Sequence, residues 1–283
     1  MALTLVVMAA GRGSRFGGMK QVAEIGPSGE ALYDYAIYDA LRCGFDNVVF
    51  VVSDASAEAI EAHVGRGCGR HVAVRYALQK AQGRDKPWGT GHAVLTACEE
   101  VDGAYAVVNA DDFYGHESFA LLGRELAGDH GDHVLVAFRL RESLSENGGV
   151  SRGVCQVAGG FLTSIRELHE VEATDDGVSC REGVALTGDE LFSANLWGFR
   201  ASFCQVLAEE FAGFLLNHGD DPSAEFFVGD AVARLGAYGQ ARVRVVPTPE
   251  RFLGVTYADD VAGVTTQIAG LVSQGRYPAR LWA

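Results

Sequence analysis

Leu3-Thr-Leu-Val-Val-Met8-Ala-Ala-Gly11-Arg-Gly13-Ser-Arg15-Phe-Gly17-Gly18-Met-Lys20 opens the chain with an apolar run that passes straight into a glycine-rich, basic loop. A short apolar run that stops at glycines reads as a buried strand. Glycines after it let the backbone approach an anion and point several N–H groups at it, while Arg and Lys neutralise its charge. Residues 1–23 hold Arg12, Arg15 and Lys20 and no Asp or Glu, in a chain whose formal net charge is −14. That asymmetry marks the loop as the place where an acidic protein meets an anionic ligand.

Two familiar phosphate loops do not fit. A Walker A loop needs Gly-Lys-Ser/Thr after four variable residues, whereas Gly18 is followed by Met19, and no hydroxyl follows Lys20. A dinucleotide fingerprint, G-x-G-x-x-G, needs a third glycine three positions after the second and an acid about 20 positions on. Here the third glycine is displaced to Gly17, and the first acid at a strand end is Asp54.

Outward from the loop, apolar runs at 3–8, 47–52, 72–77 and 104–109 alternate with helical patterns at 31–43, 55–64 and 91–99. That is the rhythm of a parallel sheet covered on both faces. Later runs at 134–139, 150–157, 161–167 and 191–199 are separated by turn signals and read as a mixed sheet. Helices follow at 203–216, 226–235 and 259–272, with a strand at 241–246. The expected fold class is α/β: a Rossmann-like, mainly parallel sheet flanked by helices, with a mixed-sheet second-substrate half. The six prolines and the lack of a low-complexity linker point to one domain over 1–283. Its nucleotide-binding half is 1–125 and its second-substrate half 126–283.

With 283 residues, 48% of them hydrophobic, the chain can build a large core without staples. The acidic balance argues against a nucleic-acid partner. No stretch approaches the roughly 20 apolar residues that span a bilayer, so no membrane partner is expected. Cys43, Cys68, Cys98, Cys155, Cys180 and Cys204 are widely spaced and read as reduced thiols of a cytoplasmic protein. The helix at 259–272 can pack on its own domain or on another copy, which leaves a homo-oligomer open.

Ala9-Ala-Gly11-Arg-Gly13-Ser-Arg15 and Lys20 resemble the nucleotide-sugar pyrophosphorylase (sugar-1-phosphate nucleotidyltransferase) family, with Met19 where many members have proline. The resemblance implies a loop, including Ala10, Gly11 and Gly13, that wraps a nucleoside triphosphate, with Arg15 and Lys20 as electrostatic catalysts. Gln79 and Gly89-Thr90-Gly91-His92-Ala93 are similar to the uridylyltransferase portion of N-acetylglucosamine-1-phosphate uridylyltransferases. By that likeness Gln79 reads the base edge, and the backbone of Gly89 and Thr90 closes over it. His92 by itself reads as a packing histidine. Asp111 and Asp112 follow the strand at 104–109, at the sheet edge where open α/β folds bind ligands. The family's Mg²⁺ ligand matches Asp111, with Asp112 the weaker match because neighbouring strand residues point opposite ways.

In the second half, Gly153, Glu167 and Asn195 resemble positions where the family touches a sugar and its phosphate. The stretch Glu225–Asp230 resembles a family motif that reads as helix-start packing. One departure is Thr256, which stands where relatives have an Asp or Asn as second metal ligand. The implied reaction joins an NTP, UTP favoured, to a sugar 1-phosphate and releases pyrophosphate, with Mg²⁺ and with Arg15, Lys20 and Asp111 in the catalytic roles. A cytidylyltransferase for a non-sugar phosphate such as phosphocholine, and a catalytically silent nucleotide-binding regulator, are the alternatives.

Overall fold

The computed structural model describes residues 3–11, 19–81, 84, 86–145, 147–174, 177–237 and 241–283. Strand β1 (Thr4–Met8) shows how the sheet is built. Leu5 and Val7 face one apolar layer and Val6 and Met8 the other, as the two-residue period of a strand requires. β2 (Asn47–Val52), β3 (Ala73–Leu78) and β4 (Tyr105–Asn109) lie parallel to it in the order β3-β2-β1-β4. The sheet continues through β10 (Leu191–Phe199), β6 (His133–Arg139), β11 (Val243–Pro247), β8 (Phe161–Thr174) and β7 (Val150–Ala158). β10 runs antiparallel to both β4 and β6, and β11 runs parallel to β6. The expected mixed sheet is therefore one continuous structure that spans both halves.

α1 (Leu32–Arg42), α2 (Ala57–Arg66) and α4 (His116–Ala127) are the helices on one side. α3 (Thr90–Ala97), α5 (Phe203–His218) and α6 (Val228–Ala237) cover the other. α4 has no counterpart among the expected elements. β8 continues to Thr174, past the expected end at 167, because β9 (Gly177–Ser179) pairs with its last residues. The short strands β5 (Asp112–Phe113) and β12 (Leu253–Gly254) pair with each other and bring the C-terminal region beside the Asp111–Asp112 corner.

The final helix, α7 (Asp260–Ser273), packs on its own domain: Val264 and Ile268 join Ile25, Leu32, Tyr35 and Phe113 in a third apolar cluster. The cysteines bring a correction. Cys98, just after α3, and Cys204, on α5, form a disulfide with 5.7 Å between their Cα atoms. Only Cys43, Cys68, Cys155 and Cys180 are free thiols. The two sulfurs meet because α3 and α5 pack side by side, a contact that residues 106 positions apart do not announce. The cysteine pattern therefore no longer argues for a reducing compartment. Among the described residues, no helix is long and apolar enough to cross a membrane.

Two buried carboxylates on α1 fasten the C-terminus. Asp34 accepts hydrogen bonds from the Ala31 amide (2.8 Å) and the Trp282 indole (2.8 Å), and it pairs with His63 Nε2 at 2.6 Å. Asp39 accepts from the Tyr277 hydroxyl at 2.5 Å, and His116 Nδ1 lies 3.5 Å from its other oxygen. Burial pushes the Asp39 carboxyl up to about 7, against the opposing pull of Tyr277 and Arg42. An unfolded Asp titrates near 3.9, so the folded state holds the proton longer. This contribution to stability is complete below about pH 4 and is lost as pH rises through about 7. Asp39→Asn should remove that slope, since the amide oxygen still accepts from Tyr277. In denaturant unfolding between pH 5 and pH 8, the parent chain should lose about 2 kcal/mol more than the variant. Parallel pH profiles would show that Asp39 is not the titrating group.

Candidate active site

Backbone continuity puts the ends of β1, β3 and β4 along one edge of the sheet, and two cavities open there. The first, of about 510 Å³, is lined by Ala10, Gly11, Lys20, Gln79, Gly89, Thr90 and Asp111. Seven residues singled out from the sequence are thus gathered around one space. Gly13 and Arg15 lie outside the described residues. Lys20 opens a short 3-10 turn, and its ammonium forms an ion pair with the Asp111 carboxylate. The same ammonium stands 3.4 Å from the carbonyl oxygen of Val255. One cation thereby joins the turn at Lys20–Val22, the end of β4 and the segment after β12. The next side chain, Gln21, donates to the Gly11 carbonyl, three residues past the end of β1.

Gln79 is buried. Its amide nitrogen donates to the Gly89 carbonyl (3.0 Å) and meets His92 Nδ1 (3.2 Å). This fixes the amide's orientation and leaves its oxygen with no hydrogen-bond donor among the described residues. His92 is the packing histidine expected: it stacks on Phe211 with ring centres 4.7 Å apart, and burial lowers its pKa to about 4. Gly89 precedes α3 at φ +97°, ψ −176°, a conformation essentially confined to glycine. Lys86 also lines this cavity, 3.9 Å from Glu225.

The second cavity, of about 660 Å³, is lined by Asp112, Gly153, Glu167 and Asn195, all taken from the sequence, together with Arg152, Asp230 and others. Gly153 pairs with Glu167 across β7 and β8, and a Cβ at Gly153 would sit 3.4 Å from the Glu167 carboxylate. Asn195 adopts φ +59° at an irregularity of β10, a conformation that Asn tolerates better than most residues. Its side chain accepts from the Trp197 indole (3.1 Å) and donates to Asn109 (3.4 Å).

Asn109 in turn donates to Asp112 at 2.7 Å. Asn109 and Thr90 line both cavities, so the wall between the two spaces is made of these two side chains. The neighbouring aspartates diverge across a turn between β4 and β5: Asp111 lines the first cavity and Asp112, the first residue of β5, the second. Asp111 faces the first cavity with Lys20. Asp112 is turned inward, and burial, reinforced by Asp111, pushes its carboxyl up to about 7. Gly254 lies against it: a Cβ there would come within 2.8 Å of Asp112 Oδ1. Thr256 lines the second cavity, while its backbone N–H donates to Asp260 (2.8 Å).

Sequence reasoning missed the strap that joins the two cavities. The backbone of Phe226 accepts from the Gly91 amide (2.8 Å) and donates to the Trp88 carbonyl (2.6 Å), and the Val228 amide donates to Thr90 Oγ1 (3.2 Å). The stretch at 225–230 is therefore more than helix-start packing. It ties the Gly89–Gly91 turn to the start of α6 and sets Phe227 and Asp230 on the second cavity's wall.

Two cavities thus lie side by side at the ends of the parallel strands, and the chain's family gives them their class: it is a nucleotidyltransferase. The chain belongs to the MobA-like NTP transferase family, whose domain matches residues 5–146. Two solved structures share its fold. One, from Bacillus anthracis, is provisionally designated a glucose-1-phosphate thymidylyltransferase and is in complex with sucrose. It is 12% identical, with a TM-score of 0.67, over 94% of this chain and 95% of that one. The other is the inositol-1-phosphate CTP transferase from T. maritima, 13% identical, with a TM-score of 0.65 and the same coverage of both chains. No curated protein sequence matches the chain.

Proposed function

We propose that this nucleotidyltransferase transfers a uridylyl group from UTP to a sugar 1-phosphate, releasing pyrophosphate. The observation that carries the reading is the shared wall of Thr90 and Asn109 between a glycine-lined cavity that holds the Lys20 and Lys86 ammonium groups and a second, polar one. An NTP in the first would present its α-phosphorus to a phosphate held in the second. The acceptor's phosphate oxygen forms the new P–O bond, and the bond to pyrophosphate breaks. The acceptor is already an anionic nucleophile, so the chain needs no Ser or Cys nucleophile, and positioning and charge neutralisation do most of the work. Lys20, with Arg15 from the loop, balances the charge that develops on the α-phosphate.

The preference for uracil rests on Gln79. With its NH₂ occupied by Gly89 and His92, the amide presents an acceptor, which suits the N3–H of uracil or thymine and repels the N3 lone pair of cytosine. This favours uridylyl over cytidylyl transfer.

Asp111 suits Mg²⁺. Among the described residues no group of three or more His, Cys, Asp or Glu side chains could hold a metal. Mg²⁺ is commonly held by one or two carboxylates, substrate phosphates and water. Asp111 faces the nucleotide cavity, with Asp112 behind it as the second carboxylate. The ion would supply charge neutralisation across both phosphates.

The test is pyrophosphate release across a matrix of four NTPs and several sugar 1-phosphates. UTP with a hexose 1-phosphate should give the highest rate, and chelation by EDTA should abolish it, with recovery on adding Mg²⁺. Release that depends on no acceptor, or fastest turnover with CTP, would overturn the reading.

A further inference from the structure

The far wall of the second cavity carries more negative charge than the chain itself balances. Glu167 on β8 and Asp230 in the first turn of α6 both line it, and neither carboxylate has a hydrogen bond or ion pair with another described residue. They belong to one seam: a Cβ on Gly229 would lie 3.8 Å from Ile165, two residues before Glu167 on the same face of β8. The three nearby basic groups are already engaged. Arg234, one turn along α6 from Asp230, pairs with Glu210 at 2.7 Å. Arg152 donates from Nε to Ser143 Oγ (3.0 Å) and from its two terminal nitrogens to the carbonyls of Ser151 (2.9 Å) and Ser143 (2.6 Å). His169 Nδ1 sits 2.8 Å from Glu182. Beside the carboxylates, Phe227 lines the cavity while 47% exposed, in a chain that buries most of its large apolar side chains.

An acceptor that fills this space strips water from two carboxylates. Hydroxyl groups can replace the lost hydrogen bonds but leave two like charges facing a drier cavity. A cation offsets the charge as well, and the face of a phenyl ring attracts a cation within about 6 Å. We propose that Glu167, Asp230 and Phe227 form a cation-recognising subsite, so that the preferred phosphorylated acceptor carries a protonated amino or quaternary ammonium group. The inference rests on the transferase reading above and specifies its acceptor. Two sources share this chemistry: an amino-sugar 1-phosphate with an unacylated amine, and an amino-alcohol phosphate.

The experiment measures pyrophosphate release by the full chain with UTP, Mg²⁺ and matched acceptors. These are glucosamine 1-phosphate, N-acetylglucosamine 1-phosphate, glucose 1-phosphate, phosphoethanolamine and phosphocholine. kcat/KM for the charged member of the hexose set should exceed that of the neutral members by about 10- to 100-fold. Glu167→Gln with Asp230→Asn should reduce that ratio to near one, and Phe227→Leu should lower it in part. Highest turnover with phosphoethanolamine or phosphocholine would support the subsite and replace the sugar acceptor with an amino alcohol. Equal or faster turnover of glucose 1-phosphate would overturn the subsite while leaving the transferase standing. UTP binding by calorimetry without pyrophosphate release on any acceptor would overturn both.

Discussion

Lys20→Ala is expected to lower the rate of pyrophosphate release by about 10²- to 10³-fold, the range seen when one donor to a developing oxyanion is removed. The lysine acts at two levels. Its ammonium pairs with Asp111 and approaches the Val255 carbonyl, so it positions the carboxylate, and it faces the cavity that would hold the triphosphate. Asp111→Ala should cost a comparable factor. Because the two act as a unit, the double variant should be little worse than either single one. Thermal unfolding separates catalysis from folding. Both side chains are about one-fifth exposed, so the melting temperature should move by only a few degrees. A Lys20→Ala enzyme that keeps more than a tenth of its turnover would remove the loop from the chemistry.

Gly89→Ala should be the most damaging single-methyl change at the site. The backbone there stands at φ +97°, and an added Cβ would come 2.7 Å from the Phe226 carbonyl oxygen and 3.0 Å from its nitrogen. Both obstacles are main chain, so no side-chain rotation relieves them. Strain of about 1–3 kcal/mol for the backbone conformation adds to the clash, and a loss of about 3 kcal/mol or more is expected in denaturant unfolding. Because the Gly89–Gly91 turn is bonded to the strap that carries Phe227 and Asp230, affinity for nucleotide and for acceptor should fall together. A stable variant with weakened nucleotide binding alone would show that the strap does not couple the two cavities.

The first half was legible because its signals are local. β1, β2, β3 and β4 announce themselves as apolar runs; Gln79 and Asp111 sit where two of those runs end, and Lys20 and Gly89 lie in the connections that follow β1 and β3. What escaped depends on contacts between distant segments. Asn109 looks like the last residue of a strand until its links to Asp112 and Asn195 are seen. Phe226 and Asp230 gain their roles only because the chain returns across Trp88 and Gly91, and Cys98 meets Cys204 only because two helices pack together. α4 is a different case. Phe119, Leu122 and Leu126 give it an apolar stripe at helical spacing, but Gly123 interrupts the pattern. The structure accounts for that glycine: a Cβ there would come 2.7 Å from the Cys43 carbonyl oxygen at the end of α1, so the close approach of the two helices requires it.

The bond between Cys98 and Cys204 closes a covalent ring around β4, β5, α4 and the strands β6 to β10. A single proteolytic cut anywhere within that ring cannot release a fragment. The nicked protein would migrate as one band on a non-reducing gel and separate into two pieces once a thiol reagent is added.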